Sequence, residues 1–289
     1  MPLTDVDQEC LEYRLETNPT ARVFSYSLPT GEVHYFNILA PHMSLTVSSE
    51  ATVVTHHRDT FEGLQFLYDD FAFYRSPAVQ DRYMEYLMPT GLVEIHAETD
   101  SIANEATRQM GVGAASFLVS LTRVLNREIE FKPGITGVDS TSLQVLEHRS
   151  GVCQDFTHLM LAVCRRQGIP ARYISGYLYN GVDHSISTET TEISIPTDAA
   201  EIVGAEERFE GKAGASLLGA NAMHAWVECL LPCGRWIGFD PTNNLLTNHH
   251  FIKVSYGRDY KDVAPLRGIY RGPLAHTMTT SVTVTEHLL

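Results

Sequence analysis

The pattern of apolar residues predicts a mixed helix-and-sheet protein in two parts, antiparallel strands first and then a larger part built around one helix and one hairpin. Three observations carry this. Leu11, Tyr13 and Leu15 alternate with Glu12, Arg14 and Glu16, the period of two expected of a half-buried strand. Phe156, Leu159, Met160 and Val163 recur at helical spacing directly behind Ser150-Gly151-Val152-Cys153. Two runs rich in aromatic and β-branched residues, Met223–Leu231 and Arg235–Thr242, flank Pro232-Cys233-Gly234, which reads as a hairpin turn.

A chain of 289 residues can bury a large core and has room for two domains, placed here at residues 1–95 and 96–289. The net charge of −14 comes without any Lys/Arg-rich run, so nucleic acid and anionic membrane are not expected as partners. No segment reaches the ~18 apolar residues of a membrane span. The start, Met1-Pro2-Leu3-Thr4-Asp5-Val6-Asp7, carries acids where a signal peptide carries cations, so a cytoplasmic protein is expected. Cysteines 10, 153, 164, 229 and 233 are odd in number and contain no CxxC pair, which suggests neither a disulfide framework nor a zinc site; reduced thiols are expected even at Cys229 and Cys233.

In chain order, Phe24, Tyr26 and Leu28 alternate with Ser25 and Ser27, Pro29-Thr30-Gly31-Glu32 turns, and Val33–Leu39 and Leu45–Thr55 resume β-type composition. A small β-sandwich or layered sheet is expected. His56-His57 lacks a third ligand nearby in sequence and is assigned to the surface. Residues 60–91 hold an aromatic patch (Phe61, Phe66, Tyr68, Phe71, Phe73, Tyr74) suited to packing between domains. Ala114, Phe117, Leu118, Leu121 and Leu125 define a helix from about Gly113 to Asn126, and Ser140-Thr141-Ser142 can cap a short helix ending at Arg149. The Cys153 helix ends at Gly168-Ile169-Pro170, with Arg165 and Arg166 in its last turn, and Ala171–Tyr179 reads as a strand with a tyrosine face. Residues 180–220 lose periodicity and are read as an excursion beside the active site or a surface insertion.

Cys153 at a helix start faces unpaired N–H groups and the positive dipole end, which favour a thiolate. If the hairpin pairs residue 231 with 233 or 235, His224 and Asp240 share one face as direct or diagonal neighbours. A nucleophile, a base and an orienter then follow in chain order. The Cys153 backbone N–H is one oxyanion donor, and the second is not identified. Gln154 either reaches an oxyanion or has a solvent-facing or packing role, Asp155 supports the helix through the dipole, and His158 is a poorer base than a strand histidine with an acid partner. Cys164 reads as inert packing, and Trp226 either walls an acyl pocket or packs in the core.

Ser150-Gly-Val-Cys153-Gln-Asp-Phe-Thr-His-Leu, Gly168-Ile-Pro-Ala-Arg-Tyr, His224-Ala-Trp-Val-Glu and Trp236-Ile-Gly-Phe-Asp240-Pro-Thr-Asn resemble the bacterial transglutaminase-like superfamily. Gly257-Arg-Asp-Tyr-Lys-Asp-Val-Ala-Pro resembles the C-terminal signature of one branch, described as candidate cysteine proteases with a β-rich N-terminal domain. The resemblance implies an α+β fold, a papain-like transglutaminase core with the nucleophile helix packed on an antiparallel sheet, preceded by a small antiparallel β domain. It places the catalytic residues at Cys153, His224 and Asp240, and draws Tyr260 and Arg258 into the signature, with Gln154, Trp226 and Tyr260 as supporting or substrate-binding positions. No cofactor or metal is implied, and the absence of an EF-hand-like run leaves calcium dependence without support. The expected activity is cysteine hydrolysis of amide bonds in peptides or proteins; amine transfer to protein glutamine, or a catalytically silent binding module, are the alternatives. Oligomeric state is not legible.

Overall fold

The structure is a computed structural model that describes residues 1–57, 70–109, 113–180, 217–218, 222–272 and 278–287. Phe61 to Tyr68 and nearly all of the 180–220 stretch lie outside the described residues.

Four strands open the chain: β1 (Gln8–Asn18), β2 (Phe24–Leu28), β3 (Gly31–Tyr35) and β4 (Thr46–Thr55). β1 pairs antiparallel with β4, and β2 with β3, as two ribbons layered through Tyr13 against His34, whose ring centroids lie 5.0 Å apart. The alternation is present, yet little covers it. Leu11, Phe24, Tyr26, Leu28 and Tyr35 stay exposed.

The main body begins with α1 (Asp70–Tyr74), α2 (Pro77–Arg82), α3 (Asp100–Gln109) and α4 (Ala114–Glu128). Every residue of α4 from Ala114 to Thr122 is buried, so it is a core helix wrapped on all sides. The short strand β5 (Glu130–Phe131) and α5 (Ser142–His148) lead to β6 (Ser150–Gly151) and α6 (Cys153–Arg166). Thr141 starts α5 with a capping box, its hydroxyl accepting from the Gln144 N–H while the Gln144 side chain accepts from the Thr141 N–H.

The sheet follows: β7 (Ala171–Leu178), β8 (His224–Leu230), β9 (Trp236–Asp240), β10 (Leu245–Leu246) and β11 (Phe251–Gly257), in spatial order β10-β9-β8-β7-β11 with all neighbours antiparallel. α6 lies across β8 and β7 with α4 behind it. One sheet face joins the helices in a core that includes Ala171, Tyr173, Ala225, Val227, Ile237 and Phe239. Ile174, Leu178, Trp226 and Phe251 form a second cluster. The core expected from the resemblance, the Cys153 helix packed on an antiparallel sheet, is therefore present.

Residues 70–95 pack on this body. Tyr74 donates its hydroxyl to Leu230 O at 2.8 Å, and Tyr83 and Tyr86 meet the Trp236 ring edge-on at 5.8 and 5.4 Å. The N-terminal ribbons dock on the edge strand β11. Gln8 donates to Lys253 O (2.8 Å) and accepts from Lys253 N (2.7 Å), and the Tyr256 hydroxyl donates to Pro29 O (2.8 Å). Beneath this seam the buried Lys253 ammonium meets Asp5, Asp7 and Glu228. Burial opposes its charge, but Glu228 and Asp5 outweigh that and push its pKa up. Glu228 also binds Arg172, whose guanidinium sits 4.4 Å from the Trp236 centroid and 4.0 Å from that of Tyr256.

Gly176 shows how tightly the sheet closes beside the site. It lies opposite His224, and a Cβ there would stand 2.1 Å from Ile252 O and 2.5 Å from Trp226. Gly137, by contrast, has open space around its Cβ position. Gly176→Ala is expected to cost about 2–3 kcal/mol through overpacking against a backbone oxygen that cannot yield, whereas Gly137→Ala should fall within about 0.5 kcal/mol of the parent. Paired thermal melts measure both.

Candidate active site

The turn that delivers Cys153 is built by backbone and one buried carboxylate. Arg149 ends α5 in the left-handed region (φ 52°), and the chain is strapped to β5 by Glu130 N–H to Arg149 O (2.9 Å) and Lys132 N–H to Gly151 O (2.8 Å). Asp155, fully buried in the first turn of α6, accepts from Val152 N–H at 2.7 Å and from the Thr136 hydroxyl at 2.6 Å through one oxygen. That places a side-chain acceptor on one of the orphan donors at the helix start. A Cβ on Gly151 would lie 2.6 Å from the Asp155 side chain, so only glycine lets the carboxylate fold back over the turn. Burial raises the Asp155 pKa against the pull of these two donors. Its role is to hold the turn before the cysteine.

β8 and β9 are in the register that pairs residue 231 with 235: Leu231 N–H donates to Arg235 O at 2.8 Å, and Val227 lies opposite Phe239. His224 and Asp240 are consequently diagonal neighbours, and His224 Nε2 meets Asp240 Oδ2 at 2.7 Å with both side chains fully buried. Asp240 accepts three more hydrogen bonds. Thr242 N–H (2.9 Å) and Asn243 N–H (3.2 Å) reach Oδ1, and the Asn243 side-chain amide reaches Oδ2 (2.8 Å). Four donors replace the water that a carboxylate loses on burial.

The other imidazole nitrogen, Nδ1, is buried without a hydrogen bond of good geometry. Cys153, half-buried at the start of α6, acts on the same ring. Burial alone lowers the His224 pKa, but the Asp240 charge and hydrogen bond, followed by the Cys153 side chain, reverse this and raise it well above an ordinary imidazole. Asp240 and Cys153 thus both favour the protonated ring. Cys153, His224 and Asp240 are thus brought together from three separate elements.

The remaining sequence-selected residues take other places. Gln154 donates its side-chain amide to Val138 O at 3.1 Å, which engages that amide away from an oxyanion. Trp226 is buried against Phe251, edge-on at 5.2 Å, and lies 6.1 Å from the His224 ring, so it packs behind that imidazole. Tyr260 begins α7 (Tyr260–Val263), packs edge-on at 6.4 Å from Tyr173, and donates its backbone N–H to His158 Nε2 at 3.2 Å. Tyr173, never singled out for a role from sequence, is fully buried, and its pKa is driven up by burial and then by the neighbouring Cys153 and Tyr260. Its position in the tyrosine-rich strand was the available signal.

The C-terminal signature acquires a physical account. Arg258 pairs with Asp262 (Nε to Oδ2, 2.8 Å), Asp259 caps α7 by accepting Lys261 N–H (2.7 Å), and the Arg258 carbonyl accepts from the buried Arg165. The signature fastens the end of β11 to α6. His57 lies 5.3 Å from His249, a neighbour that sequence proximity did not reveal, but among the described residues no group of three His, Cys, Asp or Glu is arranged to hold a metal. No helix among them is long and apolar enough to cross a membrane.

A cysteine at the head of a buried helix, facing a histidine–aspartate pair on adjacent antiparallel strands, defines the papain-like α+β class. The chain belongs to the transglutaminase-like superfamily, whose sequence profile matches residues 100–241. An uncharacterized Mycobacterium leprae protein is 33% identical over 99% of this chain and 89% of its own length. One from Mycobacterium tuberculosis H37Rv is 31% identical over 93% of this chain and 79% of its own. The fold is shared with the crystal structure of a candidate cysteine protease from Cytophaga hutchinsonii, at a TM-score of 0.62 and 22% identity over 91% of this chain and 76% of that one.

His158, one turn along α6 from Asp155, is the histidine that the sequence ranks below His224 as a base. Its Nε2 accepts the Tyr260 N–H, so the neutral ring carries its proton on Nδ1, and burial lowers its pKa to about 4. An unfolded histidine takes up a proton near 6.5 that this ring refuses, so stability is full above that pH and falls on acidification toward 4. His224 works in the opposite sense and adds no slope below 6.5. Between pH 6.5 and 5, the parent should lose on the order of 1–2 kcal/mol relative to His158→Gln in urea unfolding.

Proposed function

We propose that this chain is a cysteine-nucleophile acyl-transfer enzyme that hydrolyses amide bonds in peptide or protein substrates. The observation that carries the reading is the buried His224–Asp240 hydrogen bond of 2.7 Å, set on a ring whose second nitrogen has no good partner and whose proton affinity Cys153 raises. In the first half-reaction the Cys153 thiolate forms the C–S bond and the carbonyl becomes a tetrahedral oxyanion, met by the Cys153 backbone N–H at the helix start. Collapse breaks the C–N bond, and the His224 imidazolium gives its proton to the departing amine. In the second, neutral His224 takes a proton from water, the hydroxide attacks the thioester, and the acid leaves as the thiol is restored. Asp240 holds the ring and balances its charge throughout.

Water is assigned as the acceptor because amine transfer requires its exclusion from the thioester. The catalytic unit is assigned to residues 96–289, with the N-terminal ribbons as an accessory part. A reducing compartment such as the cytoplasm suits five cysteines that are all unpaired.

The test uses a library of amide and thioester substrates with mass spectrometry of the trapped acyl species. An adduct on Cys153, its loss in Cys153→Ala, and a fall of roughly a thousandfold or more in turnover for that variant are expected. Iodoacetamide should label Cys153 faster than Cys233, the exposed thiol that serves as reference. Equal labelling together with activity that survives Cys153→Ala eliminates the reading. Added primary amine separates the acceptors: a product that remains the free acid supports hydrolysis, and one that becomes the amide assigns amine transfer.

A further inference from the structure

We propose that Asn243 is a positioning residue that fixes the direction of the Asp240 carboxylate and thereby the proton held between His224 and Cys153; the proposal rests on the catalytic reading above. Asp240 is the only contact through which Asn243 reaches the triad among the described residues. The two backbone N–H groups of Thr242 and Asn243 hold Oδ1 at 2.9 and 3.2 Å. The terminal torsion of the aspartate, broad by nature, turns both oxygens of the planar carboxylate together, so donors on either oxygen act on one angle. On Oδ2 those donors are His224 at 2.7 Å and the Asn243 side-chain N–H at 2.8 Å, which braces the oxygen that His224 meets.

The asparagine is itself held. Its Oδ1 accepts Leu218 N–H at 2.9 Å, and its Nδ2 also donates to Leu218 O at 3.2 Å. A flipped amide would set donor against donor at Leu218 and acceptor against acceptor at Asp240, so the network assigns the orientation. The adjoining Leu217 N–H is held separately by Asn180 Oδ1 at 3.0 Å. Two asparagines therefore hold residues 217–218, and of these Asn243 is the one bonded to Asp240. Aspartate cannot replace it, because it offers no N–H and sets a second carboxylate against the first. In sequence it stands three positions after Asp240, inside a motif whose notable members are the acid and the proline, and its spacing alone suggests only a turn.

The experiment is iodoacetamide alkylation of Cys153 across pH, read by mass spectrometry with Cys233 as internal reference, in the full chain and in Asn243→Ala, Asn243→Asp and Asn180→Ala. In the parent, Cys153 reacts ahead of Cys233, with the excess persisting at acid pH as an ion pair requires. Asn243→Ala and Asn243→Asp are expected to lower the acid-pH rate at Cys153 by about tenfold, the size of one hydrogen bond lost from a buried charged acceptor. Asn180→Ala leaves it unchanged. Should Asn243→Ala fail to fold, Asn243→Asp retains the Leu218 acceptor and reads out the same tenfold loss. Parent-like rates in the Asn243 variants overturn the proposal alone. An equal loss in Asn180→Ala also overturns it, by making the hold on residues 217–218 the cause. A parent Cys153 no faster than Cys233 removes the catalytic reading and this proposal with it.

Discussion

The structure depends on burying α6 up to its first turn. From Asp155 to Arg165 every residue of that helix is buried, whereas Val152, Cys153 and Gln154 at its head are half-buried. The Asp155 carboxylate takes one of the unpaired N–H groups there. Asp155 folds back on Val152, which requires Gly151 to carry no side chain, which in turn leaves Cys153 as the first half-open residue of the helix. Placement of the thiol is thus a consequence of how the helix end is satisfied.

The same constraint governs the sheet. A buried carboxylate and a buried imidazole are tolerated because each has partners: Asp240 has four donors, and His224 has Asp240. At the opposite edge, Lys253 is tolerated because Asp5, Asp7 and Glu228 surround it. The N-terminal ribbons, which bury little of their own apolar surface, are held to the body through that buried lysine and through the Gln8 side-chain amide bonded to the β11 backbone.

The helices, the hairpin and the three-residue constellation were legible because each rests on local pattern: helical spacing behind Cys153, alternation through His224 and Asp240, and a turn that admits two registers with the same outcome. β11 was not, because Lys253 is an inward charge that breaks the alternation, and its partners Asp5, Asp7 and Glu228 lie on other elements of the chain. α3 was missed for a related reason, with only Ile102, Ala103 and Ala106 buried in ten residues of mostly polar sequence. Asn243, Tyr173 and the reach of Gln154 to Val138 depend on tertiary position, which residue type and spacing do not encode.

Two buried histidines show how the partner of an imidazole sets its proton affinity. His158 and His224 are equally removed from water, and burial alone lowers the pKa of both. His158 meets a backbone N–H, which asks its ring for a lone pair and keeps it neutral. His224 meets a carboxylate held by three further donors, and that carboxylate and Cys153 favour its protonated form. A proton-transfer group for acyl chemistry must both hold a proton at working pH and have a nitrogen turned toward the nucleophile. On the proposed reading His224 meets both demands. His158, although one turn and a half from Cys153 on the same helix, satisfies neither, and its work is to tie the C-terminal signature to the core.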